Sequence, residues 1–60
     1  MSGEYALRVL KDELRERKLN VQTYEQRLDN IMAPTIAKLK NQIYDLEFAI
    51  EILDEYQDKD

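Results

Sequence analysis

Two apolar stripes flank the single proline of this chain, and their spacing decides what it can fold into. The first holds Leu7, Leu10, Leu14, Val21, Tyr24, Leu28 and Ile31, with Arg17 in the one remaining slot. The second holds Ile36, Leu39, Ile43, Leu46, Ile50 and Leu53. Steps of three and four residues in alternation mark an a/d seam along one face of an α-helix. The phase slips by one residue at Pro34, so the pattern predicts two helices. A single helix carried through an internal proline would lose about 3 kcal/mol and leave its stripes out of phase.

The expected fold is therefore all-α: an antiparallel two-helix hairpin. Helix 1 is expected over about 4–29, a turn over 30–33, and helix 2 over about 34–57. The acidic tail, 58–60, has no apolar anchor and is expected to fray with Gln57. Ser2 or Gly3 can cap helix 1, and Glu4 suits the positive end of its dipole. Asn30 tolerates the left-handed geometry that ends many helices, with Ile31 folding back on the turn before it. Pro34 suits the first position of helix 2, where a missing N–H costs nothing. Ala33, just before it, is biased away from helical geometry.

Charge supplies an independent argument for the hairpin. A fold at about residue 32 lays position i beside position 64 − i. Arg8, Lys11, Arg15 and Lys18 then lie along Glu47, Glu51, Asp54 and Glu55, while Glu25 and Asp29 meet Lys38 and Lys40. Each exposed pair contributes only ~0.2–1 kcal/mol, so such pairs select register and direction more than they stabilise. One feature argues the other way: isoleucine at a with leucine at d favours parallel two-stranded coiled coils. Arg17 is expected to pack its stem in the seam and reach an acid such as Glu47. A polar group in that slot also fixes register.

Helix 2 carries a second apolar line. At ~100° per residue, Tyr44, Phe48 and Ile52 stand nearly opposite the seam, with Ala37 on the same line and Tyr56 and Ala49 between the two faces. Helix 1 has a more polar back, broken by Tyr5, Val9 and Leu19. One hairpin covers one face of helix 2 and leaves the other bare. Sixty residues without cysteine also lack a disulfide to reinforce a small core. Self-association into a dimeric four-helix bundle is the plainer expectation, because small helical hairpins commonly need a partner. The sharper one is a docking face for a different protein, with Tyr44, Phe48, Ile52, Tyr56 and Ala37 as its anchors. Leu7, Leu10, Leu14, Val21, Tyr24, Leu28, Ile36, Leu39, Ile43, Leu46, Ile50 and Leu53 are the expected core of the hairpin or oligomer.

Composition narrows the function. The chain has no histidine, no cysteine and one glycine. That removes the commonest general base, the Glu-x-x-His di-metal pattern and soft metal ligands, and leaves too few glycines for a phosphate loop. No enzymatic activity, metal or cofactor is expected. Glu47, Glu51, Asp54, Glu55, Asp58 and Asp60 read as a solvated acidic face. Thirteen acidic against nine basic residues give a net charge of −4, which weighs against nucleic acid as a partner. The alternative reading takes Arg8, Lys11, Arg15 and Lys18 as a phosphate-contacting stripe. A dimeric hairpin of that kind resembles in architecture the Rop family of plasmid copy-number regulators, which bind paired RNA loops. The resemblance implies that activity only at the level of architecture and carries over no functional residue. A third reading is a structural subunit of a larger assembly. No stretch approaches the ~18 apolar residues of a membrane span, and Met1-Ser2-Gly3-Glu4 lacks the blocks of a signal peptide. A soluble cytoplasmic protein that acts as adaptor, regulator or inhibitor is the expectation.

Overall fold

A computed structural model describes residues 3–27 and 30–58, the last two by their backbone alone. Two α-helices, α1 (Glu4–Glu25) and α2 (Ala33–Asp58), lie side by side as a hairpin, with no strand among the described residues. The Cα envelope measures 48 × 14 × 12 Å, and the radius of gyration is 14.2 Å. A compact chain of this length would have a radius near 10 Å. The hairpin is thus a rod one helix thick, with one seam and no second layer.

α1 opens at Gly3, whose carbonyl accepts the Leu7 N–H at 2.8 Å, with Glu4 in the first turn. Gly3 makes no side-chain cap, and Ser2 lies outside the described residues. The helix stops at Glu25, short of the expected 29, and residues 28 and 29 lie outside the described residues. Its end is a tightened turn. Gln26 N–H donates to Thr23 O at 3.3 Å and Arg27 N–H to Tyr24 O at 3.1 Å, and Gln26 keeps right-handed φ and ψ of −75° and −11°. These i→i−3 bonds serve carbonyls that a left-handed cap would otherwise satisfy. No described residue has positive φ, so Asn30 is not the left-handed stop that its chemistry permits.

The connection reaches α2 through Asn30, whose carbonyl accepts the Ala33 N–H at 3.1 Å. Met32 O then receives the Ile36 N–H at 2.8 Å, the first bond of α2. The helix starts at Ala33, so Pro34 is its second residue and not its first. The shift loses no hydrogen bond, because none of the first N–H groups of a helix has a partner within it, and α2 takes in Ala33 against the bias that the following proline sets. At the far end α2 continues through Asp58, into residues expected to fray.

Leu7 and Val21, at 8% and 7% exposure, are the buried apolar residues of the seam. Leu10, Leu14, Tyr24, Ile36, Leu39, Ile43, Leu46, Ile50 and Leu53 are half-buried, and Leu28 lies outside the described residues. Ile31 departs from the stripe and is exposed, because α1 has ended before it; Met32 is half-buried in its place. Partial burial along most of the seam follows from geometry. Two cylinders meet along one line, so flanking side chains keep one side in water.

Polar contacts fix the direction of the pairing. Lys18 Nζ lies 3.4 Å from Glu47 Oε2, and Lys40 Nζ lies 2.9 Å from Glu25 Oε2. Both bridges join residues whose numbers add to 65, close to the fold point expected from charge alone. Their side chains are about half exposed, so they set the register of the pairing more than they stabilise it. The hydrogen bond that Lys40 donates to the Glu25 carboxylate, and then the charge of that carboxylate, hold the Lys40 ammonium above its ordinary pKa.

Arg17 finds partners other than the expected Glu47. Its Nε donates to Gln42 Oε1 at 2.9 Å across the seam, and its Nη1 bonds the Glu13 carboxylate one turn back. The reason is angular. Successive residues differ by ~100°, so Arg17 and Lys18 leave the seam by opposite edges. Gln42 and Glu47 flank α2 in the same opposed way. Arg17 therefore meets Gln42 and Lys18 meets Glu47. Replacing this polar bridge should favour stability over register. Arg17→Leu is expected to be neutral to stabilising by about 1 kcal/mol, read from the urea midpoint. A loss of about 2 kcal/mol or more would show that the bridge is a main support of the fold.

Candidate functional site

The seam uses one face of α2, and the opposite face is left to solvent. Tyr44 is 70% exposed, Phe48 65% and Ile52 37%, on one line along the helix. Ala37 is exposed on the same line, Tyr56 is exposed at its edge, and Ala49 is half-buried between the two faces. Two polar residues complete the line at ~100° per residue: Asn41 and Glu55, each seven positions from Phe48 and both exposed.

An exposed side chain of this size on a helix is expensive to hydrate and cheap to bury, since each large apolar group gains ~1.5–3 kcal/mol on full burial. Single exposed apolar residues are ordinary on any surface. A contiguous row of two aromatics and an isoleucine on a straight helix is different, because it presents a preformed anchor set. The row has the i, i+4, i+8 spacing by which helices engage grooves and other helices. Packing within the chain does not account for it, because α1 touches only the seam side of the rod.

The rest of the exposed apolar surface is scattered. Tyr5, Val9 and Leu19 break the back of α1, at 77%, 40% and 56% exposure, with Asp12 and Glu16 among them. The basic stripe on α1 is partly neutralised within the hairpin. Lys18 pairs with Glu47, and Arg15 pairs with Asp12 at 3.2 Å within α1 and not with an acid of α2. Arg8 and Lys11 make no ion pair among the described residues. They line a shallow, open depression with Glu4, Leu7 and Asp12. A second depression beside Arg17, Gln42, Asp45 and Leu46 is equally open. Neither has the enclosure of a small-molecule site.

Among the described residues, no helix is long and apolar enough to cross a membrane. Comparison with known protein families, with curated proteins and with solved structures gives no match.

Proposed function

We propose that this chain is a non-enzymatic protein-interaction module, an adaptor, regulator or inhibitor that works by covering a surface. The observation that carries this reading is the uncovered row Tyr44–Phe48–Ile52, set on a helix whose other face already holds the fold together. Tyr44, Phe48 and Ile52 are its central anchors, with Ala37 and Tyr56 at its margins. Separate faces for folding and for contact let the docking residues vary without loss of the hairpin.

Photo-cross-linking tests the reading at single-residue resolution. Phe48 is replaced by p-benzoylphenylalanine in the cells that naturally make the protein, and Gln22, exposed on α1, is replaced in a control. A discrete protein adduct at position 48 and none at position 22 is the expected result. Equal yields at the two positions, or no adduct at 48, would overturn the assignment of this face.

A further inference from the structure

We infer that the occupant of this face is a second copy of the chain, docked antiparallel with Phe48 at the two-fold axis. This rests on the reading of the α2 face as a docking surface and names its partner.

The hairpin exposes 5088 Å², whereas a compact monomer of 7.2 kDa exposes roughly 4,100 Å². The excess, about 1,000 Å² per chain, is the order of surface that each partner contributes to a stable dimer, ~800 Å².

Complementarity along the row fixes the direction. With Phe48 on the axis, position i of one copy faces position 96 − i of the other. Tyr44 then faces Ile52, an aromatic against an aliphatic side chain, twice by symmetry. Asn41 faces Glu55, which sets an amide donor against a carboxylate acceptor. The two polar breaks in the row are thus matched to each other. Charge follows the same sense. The first half of α2 carries Lys38, Lys40 and one acid, Asp45, which this register sets level with Glu51; the second half carries Glu47, Glu51, Asp54 and Glu55 and no base among the described residues. Lys38, Glu51, Asp54 and Glu55 make no ion pair among the described residues. Antiparallel docking brings the basic half of one copy over the acidic half of the other. Parallel docking would put Glu55 on Glu55 and acid along acid, an unfavourable arrangement. The product is an isologous four-helix assembly in which α2 of each copy is central and α1 is peripheral.

Because the chain has no cysteine, Thr35→Cys gives one labelling site, exposed and outside the row. The tests are sedimentation equilibrium over a wide concentration range and the distance between nitroxides at position 35. Thr35 precedes Phe48 by thirteen residues, so the antiparallel pair sets the labels about 39 Å apart at ~1.5 Å per residue. Dimer mass with that separation, and a dissociation constant raised at least 100-fold by Phe48→Asp, is the expected result. The distance is read with Phe48 in place, so it does not depend on how the variant folds. A dimer with labels within about 20 Å (a parallel pair on ~10 Å helices) would overturn the arrangement. A helical monomer at every concentration would overturn the second copy as occupant, while position-specific cross-linking at Phe48 would still stand for a different protein. A dimer that Phe48→Asp does not weaken would overturn both this inference and the assignment of the face.

Discussion

Val21→Asp is expected to abolish cooperative folding of the hairpin. Val21 is buried at 7% exposure, near the end of α1 and on the seam. The substitution removes an apolar side chain whose burial contributes ~1.5–3 kcal/mol. It also places an unpaired carboxylate in the seam, at a further several kcal/mol. Sixty residues at ~0.05–0.15 kcal/mol each give a total stability of roughly 3–9 kcal/mol, so the loss matches or exceeds what holds the fold. Circular dichroism at 222 nm should show most of the helical signal gone at 25 °C. Gln22→Asp, one residue along and exposed, should melt within a few degrees of the parent. Retention of a cooperative transition by Val21→Asp would mean that the seam does not run where the burial places it.

Phe48→Asp should have the opposite profile: little effect on the hairpin and a large effect on association. The ring is 65% exposed, so the fold loses little when it goes, and aspartate lowers helix propensity by only ~0.7 kcal/mol or less. At the centre of an interface the same change removes an aromatic anchor and buries a charge. Central anchors commonly account for 2 kcal/mol or more, up to about 4–8. Association should weaken at least 100-fold, and on a two-fold axis the aspartate would also face its own copy. Light scattering behind a sizing column, at matched concentrations, reads the difference.

These two residues also show why some of the molecule was legible in its sequence and some was not. The seam was legible because apolar steps of three and four residues can sit only on one side of a helix. The hairpin's direction was legible because Lys18, Glu25, Lys40 and Glu47 are paired by number once the chain folds near residue 32. The partners of Arg17 were not, because the choice between Glu47 and Gln42 turns on which edge of the seam each side chain leaves by. The end of α1 was not legible either. Glu25 is followed by Gln26, Arg27 and Leu28, all able to continue a helix, and the stop comes from i→i−3 closure, without a glycine or a left-handed residue to announce it. Ile31 fits the stripe by spacing and leaves it because the helix has already ended. On the outer face, helical spacing revealed the row Tyr44–Phe48–Ile52, and the structure adds that it stays exposed, from 37% at Ile52 to 70% at Tyr44. The symmetric placing of Asn41 and Glu55 about Phe48 becomes meaningful only once that face is known to be open.

On the proposed reading α2 divides its labour between two faces, one for the fold and one for association. Sedimentation equilibrium of the parent chain and Phe48→Asp, each with its helical signal recorded in the same buffer, tests that division most directly. The expected result is a dimer for the parent, a monomer for the variant, and the same helix content in both. Equal masses for the two proteins, or a variant that loses its helices along with its partner, would contradict it.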